Sequence, residues 1–323
     1  MEALLAWWER LCTASKLLRL VDINLRGIGQ VMFQNNPLTG LIFFVAIGWG
    51  SYAAGMPQVA IAGLVCVIAA TLTAHWLHVD EAGLASGLYG YNGYLVGLAL
   101  GTFLAAGPPL WIYVLLGGAV SVVATMATAN MFKIWGVAAL TAPFVLVTWL
   151  LLLASFAFSA IDAGALGYGA KITAIDPAAA NPLNVSAFAQ GVLKSISQVF
   201  LKGSGLAALL LLAGLAVSSL AAAAFALLGA IVAVITAHVL GAESELITGG
   251  LLGFSPVLTA VALGAVFYRP SARVVVYTLV GTVFTVIVQG AMNVALTPFA
   301  IPTLTGPFVL ASWLFLLPRQ HFE

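Results

Sequence analysis

Charge is scarce in this 323-residue chain: Asp, Glu, Lys and Arg make up only 7% of it, where soluble globular domains carry about 25%. That excludes a water-soluble fold. The few charges nearly cancel, 11 basic against 10 acidic for a formal net charge of +1. The basic excess of a nucleic-acid-binding surface is therefore missing, and no nucleic-acid partner is expected. Cysteine is almost absent. Cys12 and Cys66 stand far apart, which excludes a disulfide framework and a cysteine zinc site. Residues 27–79, 82–132, 134–161, 203–242, 246–268 and 274–318 contain no Asp, Glu, Lys or Arg. Ion- and proton-coupled transport relies on ionisable groups within such runs, so it is disfavoured. With no carboxylate pair inside them, and no H-E-x-x-H or G-x-S-x-G sequence anywhere, an enzyme is not expected either.

What is present is apolar and small: 63% hydrophobic residues and 33 glycines, the mixture of closely packed membrane helices. Cut by Pro, Gly and polar clusters, the charge-free runs predict ten spans of roughly membrane thickness. They lie near 41–56, 59–77, 87–105, 110–131, 134–159, 205–220, 221–240, 251–267, 274–292 and 304–317. Arg10, Lys16, Arg19 and Arg26 precede the first, which places the N-terminus in the cytoplasm. Alternation then puts Lys133, Arg269, Arg273 and Arg319 inside as well, with Lys171, Lys194 and Lys202 outside. Residues 1–20 combine tryptophans with basic residues and no small-residue cleavage site. They read as an interfacial amphipathic segment rather than a signal peptide.

The chain repeats itself. Thr73-Ala74-His75 returns as Thr236-Ala237-His238, and Gly87-Leu88-Tyr89-Gly90 as Gly250-Leu251-Leu252-Gly253, both offset by 163 residues. Leu140-Thr141-Ala142-Pro143-Phe144 returns as Leu304-Thr305-Gly306-Pro307-Phe308 at an offset of 164, and Gln30-Val31 aligns with Gln198-Val199 at 168. Domains follow: an N-terminal segment 1–24, a first repeat 25–160, a linker 161–190 containing Asp162, Asp176 and Pro177, a second repeat 191–317, and a tail 318–323. Five spans per copy, an odd number, turn the second copy upside down. Solute sites in such inverted repeats lie near the midplane where the halves meet, so candidate sites come in pairs.

Two matched segments are unlike ordinary spans. Gln30 to Phe33 followed by Asn35-Asn36-Pro37 predicts a re-entrant half-helix with freed carbonyls at its C-terminal end, tolerated at membrane depth only where it is buried or lines a cavity. Thr141 and Thr305 each stand two residues before a proline. Their hydroxyls either bond a carbonyl freed by that proline or face a solute, and both roles are compatible. His75, His78, Asp80 and Glu81 have metal-like spacing, but the other copy keeps only His238. A polar helix-end cap is the better reading, and no metal is expected.

Leu25-Arg26-Gly27-Ile28-Gly29-Gln30-Val31-Met32-Phe33, Asn36-Pro37-Leu38-Thr39-Gly40, Gly87-Leu88-Tyr89-Gly90-Tyr91-Asn92-Gly93-Tyr94-Leu95 and the two Thr-x-Pro-Phe blocks together resemble the urea transporter family over almost the whole chain. The resemblance implies an all-α polytopic membrane protein of ten transmembrane helices in two inverted five-helix repeats, with a pore at the pseudo-two-fold interface. It also implies a homotrimer in the lipid bilayer with one pore per protomer, passing urea down its gradient without cofactor or ion coupling. Position by position, the family's pore-helix polar residues fall on Gln30 and Gln198. Its apolar slot residues fall on Val31, Phe33, Leu95, Val199 and Leu258, and its central hydroxyls on Thr141 and Thr305. Residues 202–205 read Lys-Gly-Ser-Gly where the family's N-P-x-x-G element usually stands, so the second half departs from the pattern around Lys202. Urea is flat, neutral and rich in N–H donors, which suits a line of oxygen acceptors between apolar walls. A broader amide, ammonia or water pore is the alternative, and a membrane scaffold without a pore is the third reading. Short loops and the basic N-terminal segment fit a bacterial inner membrane, with both termini cytoplasmic.

Overall fold

The structure is a computed structural model and describes residues 2–167, 169–173, 179–180, 182–269 and 271–318. Asp176, Pro177 and Arg319, used above for the linker and the orientation, lie outside the described residues. Among those described there are fifteen α-helices and no strand. The first part of the chain contributes α1 (Glu2–Ala14), α2 (Lys16–Gln30), α3 (Pro37–Ala53), α4 (Gln58–Trp76), α5 (Glu81–Ala85), α6 (Tyr91–Phe103), α7 (Pro108–Phe132) and α8 (Ala142–Ser155). The second contributes α9 (Val185–Ser197), α10 (Gly205–Ser218), α11 (Leu220–Val239), α12 (Ser244–Thr248), α13 (Phe254–Val261), α14 (Ala272–Leu296) and α15 (Gly306–Leu316).

The repetition extends to the backbone. Left-handed residues occur in pairs at the sequence offsets: Phe33 (φ 63°) with Leu201 (56°), Gly87 (78°) with Gly250 (73°), and Leu140 (53°) with Leu304 (50°). The first two pairs close helix ends. Phe33 N donates to Gln30 O and Gln34 N to Gly29 O, while Leu201 N donates to Gln198 O and Lys202 N to Ser197 O. This is the hydrogen-bond pattern of a left-handed helix terminus. At each end the turn engages two carbonyls, those of Gly29 and Gln30 and those of Ser197 and Gln198, so these are not among any freed ones.

The lengths also differ from expectation. Four helical stretches, Gln58–Trp76, Pro108–Trp135, Leu220–Val239 and Ala272–Phe299, are long and apolar enough to cross a membrane, five if α9 and α10, bent by 71°, count as one. The protein is thus a multi-pass helical membrane protein with several helices shorter than a span. The stretch 134–159, expected as a single span, is interrupted: Gly136 and Leu140 turn left-handed, and α8 starts only at Ala142, with a proline in its first turn. The boundaries drawn at 24/25 and 190/191 fall inside α2 and α9. These helices begin earlier because Ser15 and Asn184 cap them, accepting from Leu18 N and Ala187 N.

The core is packed without help from an apolar contrast with solvent, since lipid is as apolar as leucine; close fit must hold it. Small residues supply the fit. A Cβ on Gly97 would lie 2.3 Å from Ala62 O, so α4 and α6 approach backbone to backbone. At the centre, Phe43, Tyr94 and Phe200 are fully buried and pack edge-on, with Phe43–Phe200 centroids 5.4 Å apart. The two halves also exchange bonds. Trp149 Nε1 donates to Pro302 O at 2.8 Å, and its repeat mate Trp313 donates to Ala138 O, the mate of Pro302, at 3.0 Å.

Candidate functional site: two paired cavities

These exchanged bonds anchor the loops that precede α8 and α15, and each loop closes one end of a cavity. The first cavity, about 560 Å³, is lined by Gln30, Val31, Phe33, Leu88, Tyr91, Leu140, Thr141 and Phe308, among others. The second, about 570 Å³, is lined by Gln198, Val199, Leu201, Leu251, Phe254, Leu304, Thr305 and Phe144, among others. Residue for residue these are repeat mates.

The cavities approach each other at Thr141 and Thr305, whose hydroxyls lie 2.6 Å apart in one hydrogen bond. Both residues are buried. Neither hydroxyl caps its helix, so the backbone-bonding alternative does not describe them. Their position is set by strain and by a bond from α6. Leu140 and Leu304 hold left-handed conformations immediately before them, each costing roughly 1–2 kcal/mol for an L-residue. Such outliers persist only where the surroundings enforce them. For Leu140 the enforcement is visible: its carbonyl accepts from Tyr91 Oη. In the next turn, fully buried Asn92 accepts from Phe144 N at 3.2 Å and donates to Thr125 Oγ1, holding the start of α8 beside Thr141.

Gln30 and Gln198 take up matching positions. Gln30 Nε2 donates to Ser86 O at 3.0 Å and Gln198 Nε2 to Gly249 O at 3.1 Å. The expected role as interhelical bonds is therefore real for the amide nitrogens. It also fixes the amides so that their oxygens, with no bond to the described residues, are the acceptors left on the cavity walls. Val31 and Val199 lie beside them. Phe33, placed by its left-handed turn, meets Phe267 and Phe308 edge-on at centroid distances of 5.8 and 6.2 Å. With Phe308 it supplies apolar wall to the first cavity, as Leu201 and Phe144 do to the second.

Leu95 and Leu258 are placed differently from the expectation. Both are fully buried in the helix-packing core and line neither cavity. The apolar residues in reach are Leu88 and Leu251, which follow the left-handed glycines Gly87 and Gly250. Those glycines are required. A Cβ on Gly87 would sit 2.2 Å from Gly27 N. The Leu pair stood in the quoted repeat blocks, so a signal existed; what sequence lacked was the turn that aims it.

The His75–Glu81 segment holds no metal geometry. Asp80 caps α5, accepting from Gly83 N at 2.6 Å and from the Tyr89 phenol. These bonds, the Tyr89 one foremost, hold its carboxyl below its ordinary range. Among the described residues no group of three or more His, Cys, Asp or Glu converges. Lys202 is buried and its stem lies 3.3 Å from where a Gly50 Cβ would be, packed against α3 rather than standing in the second cavity.

An apolar helical bundle with two cavities that share matched polar pairs at Gln30 with Gln198 and Thr141 with Thr305 defines a multi-pass membrane protein. A model of the urea transporter family matches residues 21–320, and the chain belongs to that family, one of transporters and not enzymes. Urea transporter 1 of Ovis aries is 27% identical over 303 residues, covering 93% of this chain and 77% of that protein. The same-named proteins of Capra hircus and Rattus norvegicus are each 26% identical with the same coverage.

Proposed function

We propose that this protein is a passive channel that conducts urea across the membrane down its gradient. The observation that carries the reading is the pair of mated cavities meeting at the bonded hydroxyls of Thr141 and Thr305. Urea enters either cavity past an amide oxygen of Gln30 or Gln198, slides as a flat plate between Val31, Phe33 and Leu88 or between Val199, Leu201 and Leu251, and exchanges water for hydroxyls at the centre. Spaced acceptors replace hydration piecemeal, which keeps entry and exit both easy. Apart from Asp80 at the first cavity, the lining carries no charge, so beyond it ions find nothing to offset their dehydration.

Ten spans in two inverted five-helix repeats fit this reading if the short helices are interior elements, where broken backbone is shielded from lipid. The domain limits near 25–160 and 191–317, a homotrimer with one path per protomer, and a bacterial inner membrane with cytoplasmic termini belong to the same proposal. They rest on the repeat, the distribution of basic residues and the family. The test is stopped-flow urea uptake into proteoliposomes at zero membrane potential. Fast entry without an ion gradient, slower for thiourea and acetamide, supports a urea channel. Equal entry of acetamide points to a broader amide pore, and entry only with an imposed ion gradient overturns the passive mechanism.

A further inference from the structure

The two cavities are mates in their backbone but not in one wall. Gln289 on α14 is buried and lines the second cavity. Its Nε2 donates to Thr303 Oγ1 at 2.6 Å and to Asn293 Oδ1 at 3.1 Å. Its Oε1 is sealed from solvent and has no hydrogen-bond partner among the described residues. At the offset of 164 the mates of Gln289, Asn293 and Thr303 are Thr125, Ala129 and Ala139, so none of the three polar groups has a buried amide counterpart in the first cavity, where Asn130 beside Ala129 is exposed and Thr125 spends its hydroxyl on Ser121 O. A buried acceptor left unpaired is costly, about 1–3 kcal/mol, and calls for an explanation; of seven such atoms among the described residues, only this one belongs to a residue lining either cavity. Both bonds hold the nitrogen, so the oxygen is the one amide atom left for a partner arriving through the cavity.

We propose that Gln289, with Asn293 and Thr303, forms a binding subsite for an amide-type solute in the second cavity, two residues from Thr305, with Gln289 Oε1 accepting a solute N–H. The subsite rests on the urea-channel reading and deepens it: the path holds solute more tightly on the Gln198 side than on the Gln30 side. Asymmetric binding cannot make a passive channel rectify at low concentration, because detailed balance fixes equal permeability in the two directions. The asymmetry shows instead in saturation.

The test is zero-trans urea flux in proteoliposomes of one orientation, comparing the wild type with Gln289→Met, which keeps the volume and removes the acceptor. The half-saturating urea concentration rises about two- to tenfold from the Gln198 side, the worth of one hydrogen bond, and stays unchanged from the Gln30 side. Low-concentration permeability changes by one common factor in both directions. Thr303→Val, which releases the amide from its anchor, gives the same one-sided shift and serves if the methionine variant fails to assemble. Half-saturation that is unmoved, or that rises equally from both sides, overturns the subsite. A wild-type protein with no urea flux refutes the channel reading itself, a separate result.

Discussion

Replacing Thr141 and Thr305 by valine separates stability from conduction. Each hydroxyl is buried and has the other as its recorded partner, at 2.6 Å. Removing one strands its partner and costs about 1–3 kcal/mol of stability, whereas removing both leaves two apolar groups in contact and is close to neutral. Flux behaves differently. Each hydroxyl is worth about 0.5–1.5 kcal/mol to a solute N–H or carbonyl at the narrowest point, and 1.36 kcal/mol is tenfold in rate. Either single variant then slows urea about two- to thirteenfold, and the double variant about five- to 160-fold. The order of thermal stability in detergent, wild type near the double variant and above both singles, is thus unlike the order of urea flux, in which the double is slowest. The assays are thermal unfolding and stopped-flow urea uptake on the same four preparations. A double variant that folds, inserts and conducts urea at the wild-type rate refutes the central role of the pair; a double variant that is less stable than either single refutes the account of their bond.

Gly87→Ala places a Cβ 2.2 Å from Gly27 N at a residue with φ +78°, and costs at least about 2 kcal/mol, read as a loss of folded protein on size exclusion; Gly48→Ala, with nothing within 4 Å of its Cβ, leaves the yield unchanged. Asp80, whose carboxyl is held below its ordinary range by the Tyr89 phenol and then by Gly83 N, contributes its share of stability above the usual carboxylate pKa and loses it as pH falls through the lowered value. Tyr89→Phe removes the principal cause, so the acid loss moves to higher pH in a pH series of unfolding temperatures; an unmoved or opposite shift contradicts the cap.

The repeat made much of the site legible. Gln30 with Gln198 and Thr141 with Thr305 stand out because polar residues recur at fixed offsets in a chain that has few of them, and the structure sets each pair at corresponding points of two cavities. Apolar residues carry no such contrast. Leu88 and Leu95, seven apart, would share a face of an unbroken helix, but the turn at 86–90 breaks the register between them. That turn is enforced by the approach of Gly87 to Gly27, a contact across the fold that no local pattern records. The split of 134–159 was written more plainly, in the proline of the first turn of α8. Its left-handed residue, Leu140, was not, because tertiary bonds rather than its side chain select that conformation. Gln289 escaped for the opposite reason: its repeat mate is Thr125, a different residue, and a search for symmetry passes over what breaks it.

The crossed tryptophan bonds bear on how such a chain is made. Trp149 finds its acceptor at Pro302 and Trp313 finds its acceptor at Ala138, so when the first half leaves the ribosome both its indole and its waiting carbonyl have no counterpart. That half has these two groups unmatched until the remainder is synthesised. A gene encoding one half alone would meet the same need by pairing two identical products about the same rotation, each lending its tryptophan to the other. Duplication followed by fusion then converts that partnership into a single polypeptide without inventing a contact, and frees each half to diverge, as position 289 has done.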